Sequence, residues 1–181
     1  GGFFLLHEDR GDPIELPTGM AVLGSPPSGQ VEQYQGTVQS LPKLQQAASG
    51  LGSLSIVGDA DGILRRAPLV FFHKDKLLPS LSLEALRVAQ QAGSILVKTS
   101  DGSGETAGAP GSIVSLKVGD FEVPTTAAGE LWMHFSEPAP ERTIPAWKLL
   151  SDDISEEEIR AAVEGQIVFV GASATGLRDL I

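Results

Sequence analysis

The chain contains no cysteine among its 181 residues, which removes thiolate nucleophiles, iron–sulfur clusters and cysteine-ligated zinc as a group. It also has no basic run. Arg65 and Arg66 are its one adjacent basic pair, and the formal net charge is −10. Affinity for a phosphate backbone needs clustered Lys and Arg, so nucleic acid and anionic membrane surfaces are poor partners. Long apolar runs are missing too. Residues 3–6 and 69–72 are the kind of stretch present, far short of the about 18 residues that cross a bilayer. The sequence lacks an initiating Met and ends abruptly on Asp179, Leu180 and Ile181, so it is expected to continue on both sides.

What is present is a chain long enough to bury one core, with 41% hydrophobic residues. The reading is one domain over residues 1–181 of α/β class, with α+β the near alternative, built from a mixed sheet, a β-hairpin and meander, and flanking helices. A short strand is expected at residues 3–6 and a buried strand at 19–24, ended by Pro26 and Pro27. Leu41, Leu44 and Ala48 have helical spacing with Gly50 as a stop. Phe71-Phe72 and Leu77-Leu78 flank a polar turn, and Pro79 then opens a strongly apolar helix towards Gly93. Residues 99–111, rich in Gly, Ser and Ala, read as a flexible surface loop. Alternation over 113–118, 121–123 and 131–135 predicts an antiparallel meander. Ser155 and Glu158 form a capping-box pattern for a helix ending at Gly165, and the apolar run 167–170 reads as a central strand covered on both faces.

The most specific stretch is residues 56–69. Ile56-Val57 ends one strand, Asp61-Gly62 is a turn signal, and Ile63 begins a second strand, which places Asp59 and Asp61 at a tip with Arg65 and Arg66 just beyond. Adjacent positions on a strand face opposite ways, so one arginine is expected at the surface and the other directed inward against a carboxylate or an anionic ligand. An EF-hand reading fails, because counting back from Gly62 puts Val57 and Pro68 where oxygen donors belong. The simpler reading is a turn in which Gly62 supplies positive φ and an arginine pairs with a nearby acid.

Two enzyme patterns come near residues 171–179 and miss. Gly171 and Gly176 have P-loop spacing, but Leu177 and Arg178 stand where Lys and Ser or Thr are needed. A nucleophile elbow around Ser173 needs glycine where Thr175 stands. The residue pattern therefore gives no catalytic residue and no cofactor. His7, His73 and His134 are too scattered to show metal-ligand spacing, so no metal site is expected either.

Residues 56–69 with Pro79-Ser80-Leu81-Ser82-Leu83-Glu84-Ala85 and the block 166–179 come in an order that resembles the CHASE2 domain. The resemblance covers residues 50–181. It implies an extracytoplasmic, periplasmic input module of a bacterial inner-membrane receptor, joined to the membrane only through flanking transmembrane helices. It further implies a homodimer and an output domain elsewhere, such as an adenylate or diguanylate cyclase, a Ser/Thr kinase or the histidine kinase of a two-component system. On this reading the domain is not an enzyme. The expected ligand surface, for a small molecule or peptide of unspecified class, gathers Asp59, Asp61, Arg65, Arg66, Ser80, Gly171, Ser173, Thr175 and Asp179. The alternatives are a periplasmic serine hydrolase using Ser173 with Asp179 or His134, and a pure dimerisation scaffold.

Overall fold

The structure is a computed structural model, and it describes residues 1–17, 19–59, 61–102, 104, 108–137, 139–151 and 154–171. The chain divides into two units, Gly1–His134 and Phe135–Ile181.

The first unit has mixed sheets with few helices, in the class the composition and patterning predict. Its elements are β1 (Gly2–Leu6), β2 (Met20–Leu23), β3 (Gln33–Tyr34), β4 (Gly36–Val38), α1 (Pro42–Ala47), β5 (Gly52–Ser53), β6 (Arg66–Pro68), β7 (Val70–His73), β8 (Lys76–Pro79), α2 (Leu81–Ala89), β9 (Ile95–Thr99), β10 (Ile113–Val118), β11 (Phe121–Pro124) and β12 (Glu130–Trp132). The sheets run β4-β1-β5, β11-β10-β9-β2, β12-β6 and β3-β7-β8. A parallel bridge between Ser53 and Ser80 links the first of these to the end of β8.

β7 organises the interior. It lies between β3 and β8 and is buried along its whole length. Successive residues of a strand face opposite sides, and β7 uses both: Val70 and Phe72 join a core with Leu83, Ile95, Val97, Leu116 and Val118, whereas Phe71 joins a second core with Phe3, Leu5, Ile14, Tyr34, Leu51 and Leu78. The β7–β8 hairpin turns at Lys74 and Asp75, as the sequence indicates, with Lys74 at φ +53. α2 begins on Ser80, whose hydroxyl accepts from the Leu83 N–H at 3.2 Å.

Several elements differ from their expected form. β2 forms, but as the edge strand of its sheet, with Val22 and Leu23 exposed instead of buried. β9 follows α2 over residues that the sequence reading leaves unassigned up to Thr99, because Ile95 and Val97 complete the core from the strand beside β10. β10 and β11 make a hairpin at Gly119-Asp120, but β12 leaves the meander and pairs with β6. Its approach depends on Gly129 at φ +76, where a Cβ would stand 2.4 Å from Val70 Cγ2. The ends of segment 99–111 are tied by polar contacts, not apolar ones: Ser100 N–H donates to the Ser112 carbonyl at 2.9 Å and its hydroxyl to the Ala109 carbonyl at 2.9 Å. Asp101 accepts from the Ser25 N–H at 3.1 Å and from the Ser25 hydroxyl, which holds its carboxyl well below the usual range.

The second unit contains a 3-10 turn at Pro140–Arg142, then α3 (Ala146–Leu149) and α4 (Glu156–Val163). α4 carries the expected capping box: Ser155 Oγ accepts from the Glu158 N–H at 3.2 Å and the Glu158 carboxylate accepts from the Ser155 N–H at 2.9 Å. Gly165 ends it at φ +72. Residues 167–170 are not a strand among the described residues, and Phe169 and Val170 are 71% and 96% exposed. An apolar run becomes a central strand only when strands pair on both its edges. The described residues provide none for 167–170, and β7 takes that role instead.

Candidate functional site

The acidic tip is a tight turn. Gly62 N–H donates to the Asp59 carbonyl at 2.8 Å and Asp59 N–H to the Ile63 carbonyl at 3.3 Å, while Gly62 sits at φ +78, a region L residues rarely adopt. The side chain that caps the turn is that of Asp61, which accepts from the Ile63 N–H at 3.1 Å. The expected flanking strands do not form: residues 54–59 and 63–65 are outside any ladder, and pairing begins only at Arg66. Hydrogen bonds across the turn close it without a hairpin ladder.

Both arginines converge on Asp59, and this corrects the expectation that they face opposite ways. Arg65 Nη1 donates to Asp59 Oδ2 at 3.1 Å and to Asp61 Oδ1 at 3.0 Å, and its Nη2 donates to Asp61 Oδ2 at 2.8 Å. Arg66 Nη2 donates to Asp59 Oδ1, and its Nη1 donates to Glu130 Oε2 at 2.8 Å. Arg65 lies outside β6, so strand alternation does not govern it. The pairing of acid and arginine expected at the turn is present twice over.

β12 completes the cluster. Its register sets Trp132 opposite Arg66 and Glu130 opposite Pro68, and residues two apart share a face. Arg66 therefore lies with Glu130 on one side and 5.7 Å from the Trp132 ring centroid on the other. Glu130 is oriented by Thr126, whose hydroxyl donates to Glu130 Oε2 at 3.0 Å. Glu130, Thr126 and Trp132 do not appear in the sequence-derived set. The available signal was the alternation around Leu131 and Met133, but its pairing with β6 spans more than sixty residues and leaves no local trace.

The electrostatics are those of a lock in which both guanidinium groups are engaged by acids. Hydrogen bonds from Arg66 and then Arg65 hold the Asp59 carboxyl below its ordinary range, and Arg65 does the same to Asp61. Asp61 and then Asp59 push the Arg65 guanidinium above its ordinary range, and Asp59 and then Glu130 do the same to Arg66. Carboxylates held this firmly ionised are unsuited to donating a proton near neutrality, and arginines already engaged by acids have less to offer a further anion. Three carboxylates face two guanidinium groups, so the cluster does not add up to an anion trap.

The other expected site residues fall elsewhere. Ser80 is 6% exposed, caps α2, and lies 3.0 Å from the Ser82 hydroxyl. Its N–H donates to the Leu69 carbonyl, and none of these bonds reaches the tip acids. Gly171 belongs to the second unit. Ser173, Thr175 and Asp179 lie outside the described residues, as does any meeting of residues 172–179 with the tip. His134, named in the hydrolase alternative, is exposed at the end of the first unit.

A family model for the CHASE2 domain matches residues 15–181. The match begins well before residue 50, so much of the amino-terminal segment belongs to it as well. No match was found among curated proteins or among solved structures.

Proposed function

We propose, since the chain belongs to the CHASE2 domain family, a family of extracytoplasmic sensor domains, that it is the non-catalytic input domain of a bacterial transmembrane receptor. The family match over residues 15–181 carries this reading. The net charge of −10 and the arginine-locked acids of the tip are in keeping with it. Among the described residues no helix is long and apolar enough to cross a membrane, so attachment to the bilayer falls to flanking helices. The domain then faces the periplasm. The output domain lies elsewhere in the receptor, as a cyclase, a diguanylate cyclase or a kinase, including the histidine kinase of a two-component system.

A sensor works only if its stimulus binds two conformations unequally, and a coupling of about 1–3 kcal/mol is enough. In this reading Asp59, Asp61, Arg65 and Arg66 form part of the responsive surface. A competing charge on a ligand or partner would exchange with one arm of the Asp59 network. The receptor acts as a homodimer, for which exposed Leu41 at the N-cap of α1, Leu44 on α1 and exposed Trp132 supply apolar surface.

The test is topology mapping of the full-length protein with reporters active on one side of the membrane only, combined with assay of its output activity. A domain outside the cytoplasm whose tip substitutions change output is expected. A cytoplasmic domain overturns the reading, and so does ester or phosphoester turnover by the chain that disappears in Ser173→Ala.

A further inference from the structure

The first unit carries a cleft of about 470 Å³ between β2 and β8. Each of these strands is the edge of its own sheet, and the two run close together without pairing. The walls are apolar: Ile14 and Leu16 from the segment before β2, Met20 and Val22 from β2, and Phe72 and Leu78 from the β7–β8 hairpin. The floor is firm, since Phe72 and Leu78 are 7% and 1% exposed, and each belongs to a different core. The outer wall is open, with Val22 exposed along the unpaired side of β2. The volume falls in the range of small-molecule sites, which are mostly apolar with a few placed polar groups.

Two charged side chains line this cleft, Asp75 and Lys76. They are consecutive, at the hairpin turn and the first position of β8. Lys74 beside them is engaged by Asp9 at 3.0 Å. Among the described residues, neither Asp75 nor Lys76 takes part in an ion pair or a side-chain hydrogen bond. The cleft thus offers one free carboxylate and one free ammonium group at adjacent positions above an apolar interior.

That arrangement selects by charge. A polyphosphate would find one cation and an opposing acid, and a divalent metal one acid and an opposing cation. A sugar would find too few hydrogen-bonding side chains for its hydroxyls, which are costly to bury without partners. A molecule with one positive and one negative group on the same carbon and an apolar remainder satisfies every wall. We propose that the cleft binds a free α-amino acid with an apolar side chain, its ammonium group on Asp75, its carboxylate on Lys76 and its side chain against Met20, Val22 and Phe72.

The site lies apart from the Asp59 network and does not rest on the receptor reading, because binding is measured on the chain itself. Its position at the seam of the two cores means that an occupant presses on both Phe72 and Leu78.

Titration calorimetry of L-leucine and L-phenylalanine into the whole chain tests it. The matching monocarboxylic acids, the matching amines and glycine serve as probes that each lack one feature. Saturable binding of the two amino acids is expected, weaker by about tenfold or more for each single-charge analogue. Lys76→Gln and Asp75→Asn alter an exposed turn and should keep the wild-type circular dichroism while weakening binding to a similar degree. Val22→Trp should narrow the cleft with the same result. Absence of binding by both amino acids overturns the proposal. Equal binding of the single-charge analogues does so too, as does unchanged affinity in the folded variants.

Discussion

Arg87 clasps Glu84 with two parallel hydrogen bonds in the interior of the first unit. Its Nε donates to Oε2 at 2.9 Å and its Nη2 to Oε1 at 2.8 Å, with the two side chains 7% and 5% exposed. The same guanidinium donates to the carbonyls of Ala92 at 2.7 Å and Ser49 at 3.1 Å. One residue of α2 thereby fastens the helix's own exit and the segment entering β5. Removing the guanidinium takes away the charge that balances a buried carboxylate, which typically costs about 3–5 kcal/mol. Arg87→Met should lower stability by that amount in urea denaturation. The double change Arg87→Met with Glu84→Leu should recover much of the loss, because an apolar pair needs no counter-charge.

His73 gives the chain a second pH limb in addition to its carboxylates. It is buried at the end of β7, and Nε2 lies 3.2 Å from the Gln35 carbonyl, to which the neutral ring donates. Burial pushes its pKa below the ordinary 6.5, and Lys74 and Lys76 act the same way, against the Gln35 carbonyl and Asp9. Between the folded value and 6.5 the unfolded chain binds more protons, so stability is complete above 6.5 and declines as pH falls below it. Stability of the wild type should fall between neutral pH and the low end of the histidine range. His73→Gln keeps a donor for Gln35 without titrating there, and should flatten that part of the profile.

Ser80 separates a structural from a ligand-binding role. The Leu83 N–H is an otherwise unpaired donor of the first turn of α2, and losing its cap typically costs about 1 kcal/mol. Ser80→Ala should show this loss in thermal unfolding and Ser80→Gly a smaller one, since glycine is itself tolerated at that position. A receptor output that changes in Ser80→Ala by more than its lost stability explains would place the hydroxyl on a ligand.

Local chemistry was legible and long-range pairing was not. The Ser155–Glu158 box and the β7–β8 turn each depend on residues a few positions apart, and both appear as read. The Asp59, Asp61, Arg65 and Arg66 association is similarly compact in sequence. Glu130 is invisible from there, because it reaches Arg66 only after β12 has crossed to β6. The same limit explains β7 and residues 167–170. Both are short apolar runs, and nothing within either run says which will find neighbours on both edges.

Asp59 is the shared element of the tip network, and its substitution should have a signature that Asp61 lacks. Asp59 receives Arg65 and Arg66, whereas Asp61 receives Arg65 alone. Arg66 also connects Asp59 to Glu130 on β12, so loss of the Asp59 charge loosens the turn and its attachment to the β6–β12 ladder. Asp59→Asn should therefore lower the unfolding midpoint more than Asp61→Asn. The Asp59 carboxyl is held below its ordinary 3.8, first by Arg66 and then by Arg65. Its contribution is thus present above about that pH and is lost as pH falls through the depressed folded value. The difference between wild type and Asp59→Asn should accordingly shrink in acid. It should also shrink in concentrated salt, because these side chains are partly exposed and the screening length falls to about 3 Å at 1 M. A double-mutant cycle of Asp59→Asn with Arg66→Gln, measured at neutral pH in low and high salt, reads the coupling directly. A coupling indistinguishable from zero in low salt would mean that the network is a surface arrangement without mechanical consequence for β6.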